Sequence, residues 1–185
     1  MVSPATASEV LSELENVDWL ISRGKGPRKE RQLAQPAALL DEWSKQVKDI
    51  PGPSLVRYYV PGTKFDRLLV RIGEEFGKSN TEYAITYEAA AQIYAPFLSS
   101  VAQVRMRLAK TQESQAALSN LGARSVTEGA NLAIIDTESK GELLFRTLVD
   151  NIWLASPVQV YLDLQRGEGR STELAKHLRQ EKIRF

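Results

Sequence analysis

The stretch YAITYEAAAQIYAPFLSSVAQVRMRL, residues 83–108, decides the class of fold. Residues 83–86 form a short apolar run that predicts a strand, and the segment after it predicts a helix that continues through Ile93 and Phe97. Residues 101–108 end in alternating apolar and basic side chains, which is the period of a second strand. A strand, a helix and a strand in close succession indicate a domain of mixed α and β structure.

Two basic residues alternate with the apolar residues of this second strand. Arg105 and Arg107 lie between Val104, Met106 and Leu108, so the two arginines share one face of the strand. That face has two interpretations: it is a basic strip for RNA or an acidic partner, or its arginines pair with nearby carboxylates of the protein itself. We favour pairing with carboxylates, the simpler of the two.

Strands and helices continue to alternate after residue 50. Further strands are predicted at residues 55–60, 132–135 and 152–155. Helices are predicted at residues 65–76 with Gly77 as the stop, at residues 111–121, after Ser156-Pro157 and from Ser171. Mixed strands and helices in alternation predict a sheet covered by helices.

The N-terminal region has a different pattern. Ser3 is a good N-cap for a helix, and apolar residues recur after it at helical spacing. Residues 20–23 and 31–33 are predicted to pair as a short hairpin around a glycine turn. Pro36 then opens a second helix with an apolar face.

The breaker cluster IPGPS, residues 50–54, is the best boundary in the sequence. It predicts two domains, residues 1–50 and residues 51–185. The predicted fold class is α+β, in which a partial winged helix-turn-helix element at the N-terminus is followed by a mixed α/β domain with a helix-covered sheet.

The N-terminal order of helix, strand, basic turn and strand is that of the second half of a winged helix-turn-helix. In that arrangement the helix enters the major groove, and the hairpin, or wing, contacts phosphates or the minor groove. Short polar side chains on the helix and cations on the wing are therefore the candidate DNA-binding residues. They are Ser3, Thr6, Ser8, Arg23, Lys25, Arg28, Lys29 and Arg31.

The alternative for this region is a solvated surface helix joined to a basic loop. It is favoured by the acidic residues of the helix, because an acidic face near phosphates is repulsive. Those residues are Glu9, Glu13, Glu15 and Asp18.

Composition limits the class of function. The chain has 185 residues, with 43% hydrophobic and 25% charged residues, as in ordinary soluble globular proteins. A net charge of +1 means that nucleic-acid binding depends on a local patch. The absence of cysteine excludes disulfides, thiolate metal sites and cysteine nucleophiles. We recognise neither a signal peptide nor a membrane span, so we expect a cytoplasmic protein.

The sequence LAIIDTESK, residues 132–140, holds the sharpest chemical pattern. Its polar members are Asp136, Glu138 and Lys140, with Glu128 upstream. Restriction-endonuclease-like nucleases place such residues at the end of a strand, where the acids hold Mg²⁺ and the lysine steadies the attacking water. The alternative is a polar turn in which Ser139 caps a helix containing Leu143, Leu144 and Leu148.

Other signs of catalysis are weak. The single histidine, His177, lies between Lys176 and Arg179 on the last predicted helix, so we expect an exposed residue rather than a catalytic base. The glycines of RGEGRS, residues 166–171, lack the context of a phosphate loop and are interpreted as a linker between helices. We therefore predict no catalytic residue, no cofactor and no metal.

Four segments resemble those of a known bacterial family and cover most of residues 36–182. They are LLDEW, YAITYEAAAQIYAPFLSSVAQVRMRL, VTEGANLAIID and GELLFRTLVDNIWLASPVQVYLDLQRGEGRSTELAKHLR. They are similar to the antitoxins and transcriptional regulators of type IV toxin–antitoxin systems, of the abortive-infection E type that acts in phage defence.

The resemblance implies a two-part protein. Its N-terminal winged helix binds inverted repeats in the promoter of its own operon, and residues 3–33 correspond to the reading helix and wing. Residues 55–185 correspond to the antitoxin domain, which counteracts a nucleotidyltransferase-like toxin without requiring direct contact with it. The implied protein is a non-catalytic antitoxin and autoregulator. The alternatives are the Mg²⁺-dependent nuclease described above and an interaction module that has lost DNA binding.

Overall fold

The fold is described for residues 3–24, 26–137 and 140–185 of a computed structural model. The chain divides into two units, one that ends at Ile50 and one that spans Pro51–Arg184. Each unit is described separately. None of the helices in the described ranges has the length and apolar character needed to cross a bilayer.

The first unit consists of two helices with a hairpin between them. Its elements are α1 (Pro4–Asn16), β1 (Leu20–Arg23), β2 (Glu30–Leu33) and α2 (Pro36–Asp49). The two strands are antiparallel, with Leu20 opposite Leu33 and Arg23 opposite Glu30. Gly24 adopts φ 83°, and a Cβ atom there would lie 2.7 Å from the carbonyl oxygen of Arg28, so the turn requires glycine.

The second unit contains one sheet and the helices around it. In its described part the strands are β3 (Leu55–Tyr59), β4 (Tyr83–Thr86), β5 (Val104–Leu108), β6 (Arg124–Ser125), β7 (Leu132–Asp136), β8 (Thr147–Val149) and β9 (Ile152–Leu154). The helices are α3 (Phe65–Lys78), α4 (Tyr87–Tyr94), α5 (Gln112–Asn120), α6 (Pro157–Leu164) and α7 (Ser171–Leu178), followed by a π-helical turn at Arg179–Ile183.

The sheet is mixed, with the strand order β6-β3-β7-β5-β4-β9-β8. The pairs β5–β7 and β4–β9 are parallel, and the other neighbouring pairs are antiparallel. Helices α4 and α6 contact the central strands, and α3 contacts β9. A mixed sheet covered by helices confirms the predicted mixed α/β domain.

Two helix starts follow from local chemistry. The Thr111 hydroxyl accepts a hydrogen bond from the backbone N–H of Ser114 at 3.1 Å, and the Ser114 hydroxyl accepts one from the N–H of Thr111 at 2.9 Å. This reciprocal pair satisfies N–H groups at the start of α5. At the start of α6 the Ser156 hydroxyl accepts one hydrogen bond, from the N–H of Gln159 at 3.2 Å.

Two predicted helix ends are wrong. The helix predicted through Phe97 ends at Tyr94, because Ala95 precedes Pro96 and the helical conformation is disfavoured before proline. Gly77 does not stop α3 but lies inside it, and the chain turns at Asn80 with φ 49°.

A third prediction, the helix containing Leu143, Leu144 and Leu148, is also wrong. A short 3-10 turn at Lys140–Leu143 is followed by strand β8, which includes Leu148. The next two residues both have positive φ, 48° and 63°, as in the type I′ turn that favours antiparallel hairpins. This turn folds the segment back onto β9 as a strand. Ser139, the expected cap, lies outside the described residues.

A buried ion pair connects the centre of the sheet to α6. The Arg107 guanidinium donates to the Asp163 carboxylate through Nη2 at 2.7 Å and Nε at 3.3 Å. Thr86 Oγ1 and Gln159 Nε2 also donate to this carboxylate, at 2.5 and 2.9 Å. Asp163 is fully buried, yet each of its oxygens accepts two hydrogen bonds, which offset the cost of removing its charge from water.

Arg107 is held in its charged state. It also donates to Glu142, which follows strand β7 in the chain. Burial alone would lower the pKa of Arg107, but the nearby charge of Asp163 and its hydrogen bond outweigh burial and raise the pKa above its usual value. The guanidinium therefore remains ionised throughout the ordinary pH range.

Arg105 is also partnered inside the protein. Its guanidinium lies 3.8 Å from the Glu88 carboxylate and 4.5 Å from the centre of the Tyr87 ring. Together with the pairing of Arg107, this confirms the prediction that the strand arginines pair with carboxylates. Neither arginine belongs to an unpaired basic strip.

Asp163→Leu should destabilise the protein by about 3–5 kcal/mol, because it leaves the Arg107 charge buried without its main partner. Urea unfolding followed by circular dichroism measures this loss. The double variant Arg107→Met/Asp163→Leu should recover much of the stability, since neither charge then remains in the core. Glu173→Ala is the control: it removes an exposed pair with Arg170 and should cost less than about 1 kcal/mol. Equal losses for Asp163→Leu and Glu173→Ala would contradict the central role of the buried pair.

Candidate nucleic-acid interface

The start of α1 brings two of the predicted DNA-binding residues together. The Ser3 hydroxyl caps the helix by accepting a hydrogen bond from the N–H of Thr6 at 3.1 Å. The Ser3 and Thr6 hydroxyl oxygens are 2.9 Å apart. Ser8 is exposed in the next turn, and α1 has no buried residue. The polar side chains predicted to read bases therefore lie on an accessible helix.

The predicted cations lie on the hairpin that follows. Arg23 ends β1, Arg28 belongs to a 3-10 turn at Gly26–Arg28, and Lys29 and Arg31 lie just before and within β2. Lys25 lies outside the described residues. The described cations are thus placed on one short hairpin, the segment predicted as a wing.

A single carboxylate ties this hairpin to α1. Glu15 accepts hydrogen bonds from Lys29 Nζ at 2.8 Å and from Arg31 Nε at 3.2 Å. It also accepts one from the Ser22 hydroxyl at 2.5 Å. In the sequence Glu15 is only one of the acidic residues that disfavour DNA binding, whereas in the fold its carboxylate holds the wing in place. The sequence feature that indicates this contact is an acid on the helix followed by cations on the hairpin. The spacing of these residues in the sequence does not identify Glu15 among the acids of the helix.

These contacts keep Glu15 ionised. The hydrogen bonds from Lys29 and Ser22 are the main causes that lower its pKa, and Arg31 adds to them, so the pKa falls from the usual 4.5 to about 2. Partial removal from water opposes this shift without cancelling it. At neutral pH the anchor between helix and hairpin is therefore fully charged.

The remaining described cations of the wing face solvent. Arg23 and Arg28 are exposed, and neither forms an ion pair with another described residue. Lys29 and Arg31 are about 30% exposed beside Glu15. The described part of the hairpin therefore presents two free guanidinium groups, and guanidinium groups suit phosphate oxygens in charge and geometry.

The pattern proposed for a nuclease is only partly described. Asp136 is exposed at the end of β7, and Glu128 is exposed in the segment before that strand. Glu138 and the Lys140 side chain lie outside the described residues. Among the described residues, no group of three or more histidine, aspartate or glutamate side chains has the geometry to hold a metal ion.

The lone histidine is less exposed than predicted. His177 is half-buried, and its ring stacks on Phe97 with 4.9 Å between the ring centres. The expectation of an exposed position is wrong because residues 95–97 leave α4 as a bend and bring Phe97 against α7. His177 therefore has a packing contact that accounts for its position.

The Glu15 anchor predicts a pH-dependent stability. Because its pKa is lower in the folded protein than in the unfolded chain, its stabilising effect is fully present above pH 4.5 and is lost as the pH falls towards about 2. Glu15→Gln should therefore lower the melting temperature at pH 7, and its effect should be much smaller near pH 2, where the carboxyl of the folded protein becomes protonated. Circular dichroism melts across this range measure the difference. Glu13→Gln, which removes an exposed charge from the same helix, should change the melting temperature little. Equal effects of both variants at pH 7 would contradict the anchor.

The chain was compared with protein-family models, with curated proteins and with solved structures, and none of the three comparisons finds a match. The candidate interface therefore rests on the residues of α1 and the hairpin. The observations that carry it are the Glu15 anchor and the two exposed arginines of the hairpin.

Proposed function

We propose that the protein is a DNA-binding transcriptional regulator and antitoxin of a type IV toxin–antitoxin system that acts without catalysis. The observation that carries the DNA-binding part is the anchored hairpin with Arg23 and Arg28 exposed at its turn. The family resemblance of the later segments supports the antitoxin part. A location in the cytoplasm, where promoter DNA lies, belongs to the same proposal.

In this proposal α1 and the wing have separate tasks. The early polar residues Ser3, Thr6 and Ser8 approach base edges in the major groove, while Arg23 and Arg28 contact phosphates. The Glu15 contacts fix the hairpin relative to the helix before DNA arrives, so that less conformational entropy is lost on binding. The acidic residues elsewhere on α1 limit non-specific attraction, because they repel phosphates in a wrong orientation.

The second unit has the antitoxin role in this proposal. It counteracts the effect of a nucleotidyltransferase-like toxin, and direct contact with the toxin is not required. The Arg107–Asp163 pair supports this role indirectly by holding the sheet and α6 in one arrangement. No step of the proposal uses a metal ion or a cofactor.

Binding to the protein's own promoter should depend on the exposed wing arginines. Arg23→Ala/Arg28→Ala should weaken binding to the promoter repeats and to unrelated DNA by the same factor, since phosphate contacts carry no sequence information. The slope of log K against log salt concentration is negative. Its magnitude should fall by roughly 0.9 for each phosphate that the variant no longer neutralises. Fluorescence anisotropy at several salt concentrations measures both effects.

Lys45→Ala/Lys48→Ala is the matched control, because it removes two exposed cations from α2 in the same unit. This control should leave affinity and slope nearly unchanged. Failure of the unmodified protein to bind its promoter even at low salt would contradict the regulatory role. Mg²⁺-dependent cleavage of the probe that Glu138→Ala abolishes would support the nuclease alternative instead.

Antitoxin action should be separable from DNA binding. Co-expression with the toxin encoded by the adjacent gene should restore growth, both for the unmodified protein and for Arg23→Ala/Arg28→Ala. Asp163→Leu should fail to restore growth, because it destabilises the second unit. Colony counts with the toxin induced measure rescue, and absence of rescue by the unmodified protein would contradict the antitoxin role. Rescue without promoter binding would favour an interaction module that has lost its DNA reader.

A further inference from the structure

A cavity of about 340 Å³ lies within the second unit, where the last turns of α3, the start of β4 and the hairpin of β8 and β9 meet. This volume is in the range of sites that bind small molecules. The residues that shape the cavity and carry its charges include Gly73, Phe76, Gly77, Glu82, Arg146 and Trp153.

Two glycines, one turn apart on α3, line this cavity for different reasons. Gly73 is required by packing, since a Cβ atom there would lie 2.7 Å from the carbonyl oxygen of Asn151. Gly77 has no positive φ, and a Cβ atom there would meet no described atom within 4 Å. Because glycine is less favourable than alanine inside a helix, Gly77 weakens α3 without any demand from the packing. Glycine at such a place is expected where a ligand approaches the backbone.

One cation and one anion meet at the cavity. Arg146 Nη2 donates to Glu82 Oε1 at 3.1 Å, and Arg146 Nη1 lies 3.5 Å from the carbonyl oxygen of Tyr83. The guanidinium is 4.6 Å from the centre of the Trp153 ring, which restricts its movement. These contacts use two of its five N–H groups, and the other three have no acceptor among the described residues. The cavity therefore holds a guanidinium that is in place and still able to donate.

The balance of these charges indicates the charge of a ligand. A simple anion is attracted by Arg146 but repelled by Glu82, and a simple cation has the opposite difficulty. An α-amino acid carries both charges on neighbouring carbon atoms. Its carboxylate can accept from the unused N–H groups of Arg146 while its ammonium donates to Glu82, whose side chain is 51% exposed and free to adjust. An apolar side chain on this ligand has room beside the Phe76 ring and above Gly77.

We propose that this cavity binds a free α-amino acid with an apolar side chain. Arg146 and Glu82 hold its two charged groups, and the open space at Gly77 receives its side chain. The site lies wholly within the second unit, and the proposal does not depend on DNA binding or on antitoxin activity.

Isothermal titration calorimetry of the full chain with L-leucine, L-methionine and L-phenylalanine tests the proposal. At least one of the three should bind. The analogues of that amino acid that lack the ammonium or the carboxylate group (for leucine, 3-methylbutylamine lacks the carboxylate and 4-methylpentanoate lacks the ammonium) should bind about tenfold or more weakly, because each loses a charged hydrogen bond. Adenine, which offers donors and acceptors without charge, should not bind.

Two variants place the ligand in this cavity. Glu82→Gln should weaken binding of the amino acid by about tenfold or more and leave binding of the analogue without the ammonium unchanged or tighter, a split that misfolding does not produce. Gly77→Leu should fill the open space and abolish binding, while its melting temperature rises because leucine favours the helix. Lys78→Leu is the matched control, since it makes the same change at the next position, whose side chain is 69% exposed, and it should bind like the unmodified protein.

Three results would overturn the proposal. The first is that none of the three amino acids binds. The second is that either analogue, or adenine, binds as tightly as the amino acid. The third is that Gly77→Leu or Glu82→Gln binds the amino acid with unchanged affinity, which would place the ligand elsewhere on the protein.

Discussion

The ion pair between Arg107 and Asp163 is the constraint on which the arrangement of the second unit depends. It joins a central strand to a covering helix through a carboxylate that Thr86 and Gln159 also bind, so three elements meet at one buried charge. Removing either charged partner leaves the other unpaired in the core, which is more costly than any surface contact. An apolar contact tolerates small shifts of α6, whereas the paired guanidinium and carboxylate accept only a narrow range of positions.

The first unit uses a similar device at its surface. Glu15 gathers Lys29, Arg31 and Ser22 and so orients the hairpin against α1. In both units an acid on a helix fixes a basic strand or hairpin. The burial differs, and the consequence differs with it: the Asp163 contacts stabilise a core, while the Glu15 contacts organise a surface on which Arg23 and Arg28 stay exposed. The acidic residues of α1 disfavour DNA binding when the charges are only summed. In the fold, one of them, Glu15, anchors the basic hairpin.

Much of the fold follows from local patterns. The strands around Ile85, Met106 and Ile134 and the helix that starts after Ser156 form where the sequence predicts them, because apolar period and capping chemistry act over a few residues. The predictions are wrong where a proline or a turn with positive φ overrides the helical spacing of apolar residues. Pro96 ends α4 early, and the positive-φ turn after β8 makes a strand of residues that have the apolar content of a helix.

The sequence by itself determined most of the elements, the mixed fold class and the set of cations on the hairpin. Only the tertiary structure decided which charges are neutralised and which remain exposed to solvent. Arg107 and Lys29 are both basic residues in the sequence, but one is buried against Asp163 and the other is held by Glu15. The physical reason is that ion pairing depends on distances of a few ångströms between residues far apart in the chain. Periodicity and spacing carry no information about those distances until the sheet and hairpin have formed.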